Sequence, residues 1–175
     1  PTGVAVDATA NPPILYVADA GNNRVLAWRN ISSFTNGAPA DLVIGQRDFV
    51  TTLQYGPGTE LSTGFNTPTA VAVDSRGNVY IADSGNNRVL RYPRPTFQSP
   101  DELSLPNMVI GQPNFSQSVP NNSGNNTIAT SPKGLALNTG GGRIFRTSML
   151  FDASGNLWIA DSGNNRVLRF SANAL

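Results

Sequence analysis

The sequence predicts an all-β protein built from repeated antiparallel units, and three observations carry that prediction. One pattern is written three times: Tyr16-Val17-Ala18-Asp19-Ala20-Gly21-Asn22-Asn23-Arg24-Val25-Leu26, then Tyr80-Ile81-Ala82-Asp83-Ser84-Gly85-Asn86-Asn87-Arg88-Val89-Leu90, then Trp158-Ile159-Ala160-Asp161-Ser162-Gly163-Asn164-Asn165-Arg166-Val167-Leu168. Each copy is a β-favouring run, a polar turn and a second β-favouring run, which reads as a hairpin. The composition is rich in turn residues, with 17 Gly and 13 Pro, and only 13% of the residues are charged. A lone hairpin cannot bury its own apolar faces, so the copies must stack on one another or on a partner.

The second copy shows its elements most clearly. Residues 69–73 (Thr-Ala-Val-Ala-Val) form a β-favouring run, closed by Asp74-Ser75-Arg76-Gly77-Asn78. In that turn Asp accepts backbone N–H groups and Gly supplies a positive φ. Residues 79–82 are the second strand, 83–87 the next turn and 88–92 the third strand. After a Pro-broken loop, Met108-Val109-Ile110-Gly111-Gln112 is the fourth, matching Leu42-Val43-Ile44-Gly45-Gln46 in the first copy. Phe49 and Phe115 follow these two runs at equal spacing and are expected to anchor the start of each long connection.

Four antiparallel strands in about 45 residues is the size of one propeller blade. The chain resembles the NHL-repeat family of β-propellers. The resemblance rests on Pro1 to Asp7 with Leu15 to Leu26, on Pro68 to Asp74 with Gly77 to Leu90, and on Phe151-Asp152 with Gly155 to Leu168. It implies a propeller segment of three four-stranded blades over 1–48, 68–114 and 147–175, joined by connections over 49–67 and 115–146. The pattern is broken in places. Asn22, Asn86 and Asn164 stand 64 and 78 residues apart, above a blade period of about 40 to 45. In the third unit two segments compete for the first strand, 132–138 and 148–152. The second is favoured, because Asp152 precedes Asp161 by nine residues, as Asp74 precedes Asp83. The third unit ends without a Val-Ile-Gly-Gln strand, so the arc is not expected to close, since closed propellers hold about four to eight blades. The opening Pro1-Thr2-Gly3-Val4-Ala5-Val6-Asp7 reads as the middle of a repeat, which points to processing or to a piece of a longer chain.

Composition narrows the chemistry. The chain has no Cys and no His, which excludes disulfides, thiolate sites, and the imidazole ligands and bases of zinc and Ser-His-Asp machinery. Lys133 is the single lysine, and the net charge of +1 supplies no field for nucleic acid. No apolar run approaches the roughly 18 to 20 residues of a membrane helix. Scarce lysine with abundant Asn, Ser and Thr fits an exported bacterial protein at the cell surface or beyond.

Several residues invite a functional reading. The pairs Asp19 with Arg24, Asp83 with Arg88 and Asp161 with Arg166 could be ligands or an ion relay. Their threefold repetition favours a structural role, in which Asp caps the hairpin turn and the five-donor Arg ties neighbouring carbonyls or carboxylates. The aromatics in register, Tyr16, Tyr80 and Trp158, then Trp28, Tyr92 and Phe170, suit packing between units better than a sugar platform. The acids outside the repeated turns, Asp41, Asp48, Glu60, Asp101 and Glu102, show no spacing that pairs them for hydrolysis. The turn 74–78 lacks the form of a calcium loop, so no metal and no cofactor is predicted.

The second connection is the segment that does not repeat. From 103 to 151 it carries Lys133, Arg143 and Arg146 and no acid. In a propeller it overhangs the face of the second-to-third hairpin turns, where long loops carry binding. Lys133, Arg143 and Arg146 are therefore the candidate contacts to another protein chain, a glycan or an anionic ligand, set against a plain solvated insertion. The function expected is a non-enzymatic binding or assembly module that associates with copies of itself or belongs to a larger propeller. The alternatives are a propeller enzyme acting on a lactone, ester or glycan with part of its site elsewhere, and a surface adhesin or filament subunit.

Overall fold

The computed structural model describes residues 1–56, 64–97, 104–122, 132–138 and 147–175. It contains three antiparallel sheets. Sheet 1 runs β1 (Gly3–Asp7), β2 (Ile14–Asp19), β3 (Arg24–Trp28) and β4 (Leu42–Ile44) in that spatial order. Sheet 2 repeats it with β5 (Pro68–Val73), β6 (Val79–Asp83), β7 (Arg88–Tyr92) and β8 (Met108–Ile110). Sheet 3 has β9 (Met149–Phe151), β10 (Leu157–Asp161) and β11 (Arg166–Phe170), in the order β11-β10-β9. The architecture matches a partial three-blade propeller whose third sheet carries three strands. Its first strand is the second of the two competing segments. No helix among the described residues is long and apolar enough to cross a membrane.

The turns follow from local chemistry. Between β5 and β6, Asp74 Oδ1 accepts the N–H groups of Arg76 and Asn78 while Gly77 sits at φ +83°. Asp152 and Gly155 do the same before β10. The second turn of every sheet is a single 3-10 turn ending on Asn23, Asn87 or Asn165, at φ 53°, 52° and 52°. Asn tolerates this left-handed backbone better than most residues. The aspartate before each of these turns makes no side-chain cap bond to it. That corrects the capping role expected from the sequence; the carboxylates accept instead from the asparagine side chain of the turn and from the arginine after it.

Alternation along the strands places one apolar set on each face of a sheet. Tyr16, Ala18, Val25, Leu42 and Ile44 of sheet 1 pack in one cluster with Val71, Ile81, Leu90 and Tyr92 of sheet 2. The other face of sheet 2, with Tyr80, Ala82, Val89 and Ile110, packs in a second cluster against Leu157 and Ile159 of sheet 3. Sheet 2 is thus covered on both faces. β5 lies against both β1 and β9, and a Cβ on Gly3 would stand 2.9 Å from the Cα of Ala70. The first strands are therefore the crowded inner ones, and the fourth lie outside.

β4 and β8 stop at Ile44 and Ile110 instead of continuing through Gly-Gln. Gly45 and Gly111 turn out of the sheet at φ +88° and +92°. The following glutamine then folds back, so that Gln46 Nε2 donates to the carbonyls of Asn23 and Leu53, and Gln112 Nε2 to those of Asn87 and Val119. Phe65 and Leu135 fill the space beside the two glycines: a Cβ would fall 2.3 Å from the Phe65 ring at Gly45 and 2.7 Å from Leu135 at Gly111. Gly111→Ala should therefore cost about 2 kcal/mol or more, from backbone strain and overpacking together. Chemical denaturation checks this; an unchanged midpoint would show that the turn is not constrained as described.

Candidate functional site

The repeated Asp and Arg residues form one staple per sheet. In sheet 2, Arg88 Nε donates to Asp83 Oδ2 at 2.7 Å and Asn86 Nδ2 donates to the same oxygen at 2.8 Å, while the N–H of Asn66 donates to Oδ1 at 2.7 Å. The two terminal nitrogens of Arg88 reach the carbonyls of Phe115 and Gly64. One guanidinium therefore fastens both the connection that enters the sheet and the one that leaves it. Sheet 3 repeats the arrangement: Asp161 accepts from Arg166, Asn164 and the N–H of Ala136, and Arg166 reaches the carbonyl of Gly134. In sheet 1, Asp19 accepts from Arg24 and Asn22, and Arg24 reaches the carbonyl of Phe49.

Burial grades the three staples. Side-chain exposure is 0% for both members of the Arg88–Asp83 pair, but 14% and 16% for Arg24 and Asp19. Desolvation pushes the Asp83 carboxyl upward against the opposing pull of Arg88. At Asp19 desolvation also pushes upward, but the hydrogen bonds of Asn22 and Arg24 and the charge of Arg24 hold the group below its ordinary value. Asp83 and Asp161 each spend their oxygens on three internal donors, which suits fastening and leaves little for a metal or substrate.

In sheets 1 and 2 the last asparagine of the turn is a second fastener that sequence reasoning missed. Asn87 Nδ2 donates to the carbonyl of Ser118, and its Oδ1 accepts the N–H of Leu137. Asn23 does the same with the Thr52 carbonyl and the N–H of Thr67. Segments 64–67 and 134–138 thus dock on equivalent turns, with Phe65 and Leu135 as their apolar anchors. The Gly-apolar pairs Gly64-Phe65 and Gly134-Leu135 are the signal that could have found them.

The other sequence-derived candidates separate. Lys133 lines a cavity of about 430 Å³ with Met108, Ile110 and Phe170. Arg143 and Arg146 lie outside the described residues, as do Glu60, Asp101 and Glu102. Asp41 accepts the N–H of Arg29, and Asp48 those of Val50 and Thr51, each within its own loop. Among the described residues no group of three metal-ligating side chains comes together.

The registered positions instead expose two open surfaces. Tyr16 and Val25 of sheet 1 are 0% exposed and Tyr80 and Val89 of sheet 2 are 1% and 0% exposed, because the next sheet covers each. The matching residues of sheet 3, Trp158 and Val167, are 37% and 64% exposed. With Leu150 and Ala160 they line a shallow, nearly wholly apolar hollow. At the other end of the stack, Val4 of sheet 1 is 67% exposed where its counterpart Val71 is 5%. Each open face has the pattern of a face that is buried inside the molecule.

A family model for the NHL repeat matches residues 65–92, which span the docking segment and the first three strands of sheet 2. No curated protein matches the chain.

Two outcomes follow for this site. Arg88→Ala should cost about 3 to 5 kcal/mol, since it leaves Asp83 buried and unpaired. Arg24→Ala should cost distinctly less; equal losses in urea unfolding would refute the grading. Asp152 accepts from Trp158 Nε1, Asn156 and Ser154, and these bonds hold its carboxyl at about 2. A carboxyl depressed in the folded state adds stability above its ordinary value, and that stability is lost as pH falls toward 2. Asp152→Asn should therefore flatten the fall in stability between pH 4 and 2, read from unfolding midpoints; an unchanged slope would count against it.

Proposed function

We propose that this chain is a non-catalytic assembly module that acts by associating with copies of itself, the open face of sheet 3 receiving the open face of sheet 1 of a second copy. The observation that carries this is the exposure of Trp158 and Val167 at positions where Tyr16, Tyr80, Val25 and Val89 are buried. The molecule already makes this contact twice internally, and Val4 and Val6 of β1, both exposed, present the matching surface. Apolar burial in such a contact contributes roughly 25 cal/mol per Å². Two copies of residues 1–175 would bring six sheets around one axis, within the range of about four to eight for closed propellers, whereas three would bring nine. The reading extends the NHL-like organisation from the matched stretch to all three sheets, and the composition supports a role outside the cell.

The contact is heterologous but closes on itself with two members. Sedimentation equilibrium should give about twice the 18.5 kDa of the chain, and Val167→Asp should return it to the single mass. A wild-type chain that stays monomeric at high concentration would overturn the proposal.

A further inference from the structure

One segment of sheet 1 carries a reactivity that the rest of the chain lacks. Of all the asparagines in the sequence, only Asn36 is followed by glycine. It sits in the connection between β3 and β4, in a turn closed by the N–H of Ala38 on the carbonyl of Thr35 at 3.0 Å. Gly37 holds the third position of that turn at φ +85°, and a Cβ placed on it would meet nothing within 4 Å. Thr35, Asn36 and Gly37 are all exposed. Neither the Asn36 carboxamide nor the N–H of Gly37 has a hydrogen-bond partner among the described residues.

The asparagines of the hairpin turns are placed differently. Asn22, Asn86 and Asn164 each donate from Nδ2 to the aspartate of their own turn, and Asn23 and Asn87 donate to backbone carbonyls. A carboxamide so held is kept from the next peptide nitrogen, and a side chain on the next residue crowds that nitrogen as well. Glycine at 37 removes the crowding and frees the backbone.

We infer that Asn36-Gly37 is a self-modifying site, which converts in water to an aspartyl or isoaspartyl linkage. Gly37 N, having given its proton to hydroxide, attacks Cγ of Asn36. The bond from Cγ to Gly37 N forms, the Cγ–Nδ2 bond breaks, and ammonia leaves with a proton taken from water. Water then adds across one of the two C–N bonds of the cyclic imide. Cleavage at Cγ restores the ordinary backbone beside a new carboxylate. Cleavage at the main-chain carbonyl carbon routes the backbone through Cβ and Cγ and lengthens it by one carbon.

The turn gates this step. With glycine at its third position at positive φ it is a type II turn, in which the peptide nitrogen after the second residue points away from that residue's side chain. The Cα–C bond of Asn36 must rotate, and the bond from Ala38 to Thr35 must break, before Gly37 N can reach Cγ. Trp28 opposes that opening. Its Nε1 donates to the Ala38 carbonyl at 3.1 Å, and its ring stands edge-on to Phe34 with 5.6 Å between centroids. Trp28 is thus a positioning residue that sets the lifetime of Asn36, and the extra carbon of the isoaspartyl product falls between the two residues it holds.

This reactivity goes beyond the self-association proposed above and does not rest on it. The test is to incubate the 175-residue chain at neutral and at mildly alkaline pH, and to follow every asparagine by peptide mapping with electron-transfer fragmentation, which separates the two linkages. Conversion is expected at Asn36 ahead of all others, faster at the higher pH, with isoaspartyl linkage in the product. Gly37→Ala should slow it at least about tenfold, a barrier change of about 1.4 kcal/mol. Trp28→Phe, which keeps a ring and drops the N–H, should speed conversion at position 36 and at no other asparagine. Conversion led by another asparagine, or an unchanged rate in Gly37→Ala, would overturn the site. An unchanged rate in Trp28→Phe, or a rise shared by the other asparagines, would overturn the gate. Sedimentation reads self-association and the mapping reads position 36, so either proposal can fail alone.

Discussion

The ion pair between Arg88 and Asp83 is the constraint on which the rest of the molecule turns. Both side chains are fully buried, and two charges taken out of water are stabilising only when their remaining hydrogen-bonding capacity is met. Here it is met by backbone: the N–H of Asn66 on the acid, and the carbonyls of Gly64 and Phe115 on the base. The pair can exist only if two connections, far apart in sequence, come back to the same turn. The turn in its turn can be tight only because Asn86 and Asn87 supply a donor and a left-handed backbone. The repetition of Asp-x-Gly-Asn-Asn-Arg in the chain is thus the trace of a fastening problem solved three times.

Much of this was legible in the residues. Tyr80-Ile81-Ala82 and Arg88-Val89-Leu90 alternate or branch as strands do, and Asp74 with Gly77 spells a turn whatever surrounds it. The choice of residues 148–152 for the first strand of sheet 3, where β9 spans Met149–Phe151, followed from a spacing that local geometry enforces. The docking segments were not legible in the same way. Gly64 stands four residues before Pro68, but Gly134 stands fifteen before Met149, so no fixed spacing links them. Their partners are also peptide groups, which leave no signature in side-chain identity. The misassigned role of Asp83 and Asp161 has the same origin: an aspartate before a turn ordinarily caps its backbone, and only the three-dimensional return of Asn66 and Ala136 claims the carboxylate.

The open surfaces were invisible for a different reason. Val25, Val89 and Val167 are the same residue in the same local pattern, and nothing in the chain distinguishes the two that are buried from the one that is exposed. Their difference belongs to the stack. Sheet 2 has a neighbour on each side and carries the most completely buried staple, whereas sheets 1 and 3 each leave one face to solvent. A composition poor in charge and silent on ligands is what such a molecule needs, because its surfaces repeat its interior.

The reach of Asn87 redraws the unit from which the chain is made. Its side chain holds the N–H groups of Leu137 and Asn138 across some fifty residues, as Asn23 holds that of Thr67, so the turns of sheets 1 and 2 each grip the segment that introduces the sheet after it. A module cut at the ends of one sheet would sever that grip and leave a buried amide cluster without its acceptor. Cut instead from one docking glycine to the next, the piece would carry its own turn, its own glutamine and the groove into which its successor clicks. Grafting, shuffling or lengthening such an array is then a matter of phase: the cloning boundary belongs half a repeat away from where the strands would place it.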